Sequence, residues 1–265
     1  MLRRHVVAAA VSVPLIFLSG LPAYGQVIDL NDAINKAGRQ RMLSQRMGKA
    51  WLALVHGIEK TRAQQVLDKS MALFDRQLVE LKAFAPNAAI KLTYTQLELA
   101  WSDYKSVLVG KIPDKSLTAA LLEQDALVLT LAHQGTMQYE TNLAKPVGRL
   151  VNLAGRQRML SQRMAKFYLA ARLQVETATA NAEIIKARTE FVSAMEVLRN
   201  APEATQRIKD ELKLADAQWL FLDTALPKLQ DSQKGNKSLS DVFVTSENLL
   251  SVMDNVTGLY SAIKT

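Results

Sequence analysis

The stretch AGRQRMLSQRM occupies positions 37–47 and recurs letter for letter at 154–164, 117 residues later. Each copy lies in a long tract without an acid. From Ala33 to Ile58 the charged residues are Lys36, Arg39, Arg41, Arg46 and Lys49; from Pro146 to Val175 they are Arg149, Arg156, Arg158, Arg163, Lys166 and Arg172. Surface helices ordinarily set a Glu one turn from a Lys or Arg. A helix carrying only cations must find its counter-charge elsewhere.

The flanking sequence repeats as well. At the same 117-residue offset Phe74 matches Phe191 and Leu81 matches Leu198. With small drifts at turns, Ala85-Pro86-Asn87-Ala88 answers to Ala201-Pro202-Glu203-Ala204, Trp101 to Trp219, and Ser116-Leu117 to Ser238-Leu239. Insertions are tolerated at such turns. Two diverged copies of one unit are expected, at 26–145 and 146–265.

Each copy reads as four helices. Scarce Gly and Pro, and much Ala, Leu, Gln, Lys and Glu, favour an all-α chain. The helices are expected near 30–60, 64–84, 88–109 and 117–145, then 147–178, 181–200, 203–229 and 239–263. Pro86, Pro113, Pro202 and Pro227 stand at the breaks, and Ser116 and Ser238 are expected as N-caps. Apolar spacing such as Leu117, Leu121, Leu122 and Leu129 gives one buried stripe. Long helices with short connections make an antiparallel up-down bundle. The expected fold is therefore two tandem four-helix bundles related by a pseudo-two-fold axis.

Residues 1–25 read as a signal peptide. Arg3 and Arg4 form a positive start, Val6 to Leu18 is apolar, and Ala23-Tyr24-Gly25 provides a small-residue cleavage site. The apolar run is short for a membrane span and contains Pro14; retention as an uncleaved anchor is the alternative. Cleavage would lower the formal net charge of +8 by two. The expected location is the periplasm, which argues against a nucleic-acid partner for this basic chain, and no span is expected in the mature part. Cysteine is absent, which excludes thiolate chemistry, zinc–thiolate sites and covalent haem. No cofactor, metal or catalytic residue is expected. His56 and His133 read as packed or solvated, and Met42, Met47, Met159 and Met164 as core filler.

At about 100° per residue, Ile34, Gly38, Gln45, Gly48 and Leu52 share a face with Arg41. Arg39 and Arg46 fall on the far side, near Asn35. Arg158 likewise shares its face with Gly155, Ala165 and Leu169. A glycine one turn before an arginine lets another helix approach and leaves room for the guanidinium. Such an arginine keeps its charge and is costly to bury unpaired. Either a carboxylate from another helix or a bound anion must meet it, and the planar fork suits flat oxyanions.

Asn35-Lys-Ala-Gly38-Arg-Gln-Arg41-Met-Leu-Ser-Gln-Arg46-Met resembles the first-helix signature of PilJ-type sensor domains and the periplasmic nitrate-sensing box of the NarX and NarQ histidine kinases. Asn152 to Met164 resembles it equally. The close match covers about twenty residues per copy, and the four-helix pattern extends it over the rest. The resemblance implies a bundle in which two first helices meet and hold one anion. Arg41 with Gly38 and Arg158 with Gly155 are then the ligand-binding positions, with Arg46, Arg163, Asn35 and Asn152 in support. Arg39 and Arg156 follow the PilJ version rather than the small polar residue of the nitrate kinases. The family's usual second membrane helix and signalling region are not seen. The expectation is an exported, non-enzymatic sensor module that binds nitrate or nitrite and signals through a separate protein partner. The rival expectation is a helical adaptor whose Arg39, Arg46, Arg156 and Arg163 grip an acidic partner surface, in a pilus or chemotaxis setting.

Overall fold

A computed structural model describes residues 26–226 and 235–264, and these form helices joined by short turns. The signal-peptide reading and the break at Pro227 lie outside the described residues. The first copy consists of α1 (Leu30–His56), α2 (Lys60–Phe84), α3 (Ala88–Val109) and α4 (Thr118–Leu143), with a 3-10 turn (Lys115–Leu117) before α4. The second consists of α5 (Pro146–Arg172), α6 (Thr177–Asn200), α7 (Gln206–Ala225) and α8 (Asn236–Ser261). No described helix is long and apolar enough to cross a membrane.

Local chemistry sets the ends. Asp29 caps α1 by accepting from the Asp32 amide, Asn87 caps α3 from Ile90, and Thr205 caps α7 from Ile208. Pro146 opens α5, where its missing N–H costs nothing. α1 stops at Gly57, whose φ of 70° closes the helix in the left-handed region. This ends α1 four residues before the expected boundary. The two serines expected as caps are not caps. Asp114 takes that role for the 3-10 turn by accepting from the Ser116 amide, and Ser238 lies inside the first turn of α8 behind Gly235.

In each copy the first helix packs against the second and fourth, and the third packs against the fourth. This is the antiparallel bundle that the apolar stripes require. The cores match in detail. Phe74 lies 4.3 Å from Trp101, and Phe191 lies 4.4 Å from Trp219. The Tyr139 hydroxyl donates to the Leu81 carbonyl at 2.7 Å, and Tyr260 donates to Leu198 at 2.8 Å. Those tyrosines are 121 positions apart. The fourth helices therefore align at 121, one residue off the shift suggested by the two Ser-Leu pairs.

The bundles join chiefly through α1 and α5. These helices run parallel: Ile34 meets Gly148, Gly38 meets Gly155, and Gly48 meets Lys166 in rising order. Reciprocal contacts at matching positions are what a pseudo-two-fold axis produces. Both basic helices are thus the innermost elements of the molecule, and most of each is buried, polar residues included.

Candidate functional site

Burying two cationic helices against one another requires anions on every side, and α4, α6 and α8 supply most of them. Lys49 and Lys166 reach across the seam in exchanged pairs. Lys49 donates to Glu247 at 2.7 Å and Ser246 at 2.9 Å; Lys166 donates to Asp125, which Gln45 also holds at 2.8 and 3.0 Å. Burial pulls Lys49 down to about 8, with Glu247 opposing. Burial pushes Glu247 the other way, but Lys49 and Arg46 outweigh it and hold the carboxyl at about 2. Each lysine sits on one bundle and its carboxylate on the other. These pairs fix how the halves dock.

The arginines expected to face outward are half-buried and engaged. Arg39 donates to Asp254 at 3.0 Å. Arg46 forks onto Glu247 at 3.0 and 2.5 Å. Arg156 pairs with Glu190, and Arg163 holds Glu183 at 2.7 Å and Gln45 at 3.4 Å. The outward placement is therefore corrected. The helical wheel of one helix does not show that α6 and α8 carry acids to that flank. Arg46 and Arg163, expected as supporting groups, are tied to these carboxylates, one or two turns from the glycine crossing.

Arg41 and Arg158 behave differently. Both are fully buried. Their guanidinium groups meet where α1 crosses α5: a Cβ on Gly38 would lie 3.2 Å from Arg41 Nη2 and 3.6 Å from Arg158 Nη2. Arg41 Nη2 donates to the Asn152 carbonyl at 3.3 Å and to its side-chain oxygen at 2.7 Å. Arg158 Nη2 donates to the Asn35 carbonyl at 3.0 Å. Each arginine thus crosses to the other helix and binds the asparagine of the opposite repeat. Asn35 and Asn152, expected as supporting residues, are the groups these arginines reach. The Asn152 amide also donates to Glu140, whereas Asn35 donates to Ser261 at 3.3 Å. Both Nε–H groups are buried without a partner.

The sequence left open whether a carboxylate or a bound anion meets these arginines. In the second copy Arg158 Nη1 donates to Asp254 at 2.5 Å. In the first copy no carboxylate touches Arg41 among the described residues; its Nη1 donates instead to His133 Nδ1 at 3.2 Å. Burial, followed by repulsion from Arg156 and Arg158, lowers Arg41 to about 9, so it remains a cation at neutral pH. Burial also lowers Arg158, to about 10, with Asp254 opposing. His133 and Asp254 escaped the sequence reading, which placed His133 among packed or solvated histidines. The 121-residue alignment of α4 with α8 was the available signal, since it sets these two residues at one position.

The site therefore belongs to a tandem pair of helical bundles that bury their cationic first helices against each other. The family described as type IV pili methyl-accepting chemotaxis transducer, N-terminal, matches residues 29–133 and again 139–245. The chain belongs to that family, with two tandem copies of its domain. No curated protein and no solved structure matches the chain.

Proposed function

We propose that this is an exported sensor module that binds a small planar oxyanion, nitrate or nitrite, where α1 crosses α5, and passes the signal to a separate protein. One observation carries the reading. Two fully buried guanidinium groups face each other across Gly38 and Gly155, and among the described residues only Arg158 has a carboxylate in contact. A buried cation without a counter-ion is costly, and a bound anion removes that cost. Hydrogen bonds to a charged group contribute about 1.5–3 kcal/mol each. Two arginine forks on one anion therefore support an affinity near the micromolar range, about −8 kcal/mol after association costs.

The rival adaptor reading draws on Arg39, Arg46, Arg156 and Arg163 as contact residues. All four already hold carboxylates of the same chain. Titration calorimetry and thermal shift with sodium nitrate and sodium nitrite test the proposal. Saturable heat and a rising Tm are expected, both lost in Arg41→Ala. Absence of both signals from the intact protein overturns the ligand assignment.

A further inference from the structure

The two arginines differ at one pair of equivalent positions. In the second copy the Asp254 carboxylate lies between two arginines, accepting from Arg158 at 2.5 Å and from Arg39 at 3.0 Å. The repeat converts Arg158 into Arg41, Arg39 into Arg156, and Asp254 into His133. Arg41 donates to the ring of His133 at 3.2 Å, and Arg156 lines the same groove as that ring. One centre is thus closed by a carboxylate of the chain, and the other presents an imidazole.

His133 also stands in the wall of a surface groove and bonds Arg41 from there. A groove of about 190 Å³ runs between α4 and the α5–α6 pair, with His133 in its wall and Arg41 directly behind. Arg156, Arg163, Lys186, Glu183 and Glu190 are its charged lining residues. On the equivalent side of Arg158 the Asp254 carboxylate accepts directly from the guanidinium.

We infer that the first copy is the ligand half: a planar oxyanion enters through this groove and takes, beside Arg41, His133 and Arg156, the place that the Asp254 carboxylate takes beside Arg158 and Arg39. His133 is then a recognition residue, and the anion arrives together with a proton. This rests on the oxyanion reading above and narrows its site to the His133 side of Arg41, where Arg156 rather than Arg158 supplies the second cation.

The proton follows from hydrogen-bond chemistry. A guanidinium only donates, so His133 Nδ1 accepts from Arg41 and the ring is neutral with its proton on Nε2. Burial, then Arg41 and then Arg156 hold His133 down to about 4, with Glu190 on α6 opposing. An oxyanion between Arg41 and the imidazole reverses the sign of the local field. Nδ1 takes up a proton and turns its donor toward the anion, while Arg41 Nη1 is released for the same ligand. One negative and one positive charge enter together, so the buried seam keeps its net charge. Nitrate itself does not titrate in this range, which makes it the suitable probe.

The test is calorimetric titration of sodium nitrate into the intact chain from pH 7.5 to 5 at constant ionic strength, in buffers of differing ionisation heat. Affinity is expected to rise as pH falls, by up to tenfold per unit, with close to one proton taken up per nitrate at the acid end. His133→Gln is expected to bind nitrate more weakly and without pH dependence. His133→Asp, which copies the second half, is expected to abolish binding while circular dichroism shows an intact fold. Nitrate binding with no pH dependence in the unmodified chain, or an undiminished slope in His133→Gln, overturns the inference and leaves the oxyanion reading standing. No binding at any pH overturns both.

Discussion

Gly38 and Gly155 stand face to face where the two basic helices cross, so that a methyl group on Gly38 would lie 3.8 Å from the Cα of Gly155 and 3.2 Å from Arg41 Nη2. The nearest atom is the far end of a side chain, which can move, but Asn152 holds it. Gly38→Ala gains about 1 kcal/mol of helix propensity and strains the Arg41–Asn152 bond. Chemical denaturation is expected to show a net change within about 1 kcal/mol. Nitrate binding is expected to fall sharply, because the guanidinium can no longer lie over the glycine.

Removing each arginine separates their roles. Arg158→Met strands Asp254 with Arg39 as its remaining partner, whereas Arg41→Met removes a cation that no carboxylate touches. Truncating one member of an ion pair costs more than removing a cation that lacks one. Because Asp254 stays 44% exposed and solvent screens it, urea midpoints are expected to place Arg158→Met only about 0.5–1 kcal/mol below Arg41→Met in stability. Equal losses would show that Asp254 contributes nothing to the fold.

The lysine pairs should be the strongest joints between the bundles. Lys166 and Asp125 are both essentially inaccessible to solvent. Lys166→Met alone leaves a buried carboxylate uncompensated and is expected to cost about 3–5 kcal/mol. Combining it with Asp125→Leu is expected to recover at least half of that loss, read from a double-mutant cycle of denaturation midpoints.

Acid should weaken the protein in two stages. His133 titrates at about 4 in the fold, below the ordinary histidine value of 6.5, because burial, Arg41 and Arg156 disfavour its cation. The unfolded chain therefore takes up a proton first, and stability falls as pH drops from 6.5 to about 4. Burial lowers His56 in the same direction, so it adds to this limb. Asp254 and Glu247 resist burial through Arg158 with Arg39, and Lys49 with Arg46, and stay ionised to about 2. Their contribution is present above the unfolded carboxylate range and is lost as pH falls through about 2. Urea midpoints from pH 7 to 2.5 are expected to show both limbs. His133→Gln should reduce the first and leave the second.

Much of this was legible in the residues. An exact repeat inside two diverged copies declares a doubled unit. Helix-forming composition with breaks at Pro86 and Pro202 declares the bundle. The shared face of Gly38, Arg41 and Gln45 marks which side of α1 is buried, since a helix repeats its faces every 3.6 residues whatever surrounds it. The resemblance selected the same arginines by their motif.

The sequence by itself determined the repeat, the eight helices and the two inward arginines, because each depends on spacing within a single helix. Only the tertiary structure decided which charges meet. Arg41 and His133 are 92 positions apart and Arg158 and Asp254 are 96 apart; Lys49 finds Glu247 across 198. The first two pairings are set by how helices pack within a bundle and the third by how the bundles dock, and a one-dimensional pattern holds no distance between helices. Packing turned the four arginines read as outward into half-buried ion pairs, two across the bundles and two within the second. It also made two identical stretches unequal, one arginine meeting a carboxylate and the other an imidazole, because their partners come from helices that diverged after the repeat arose.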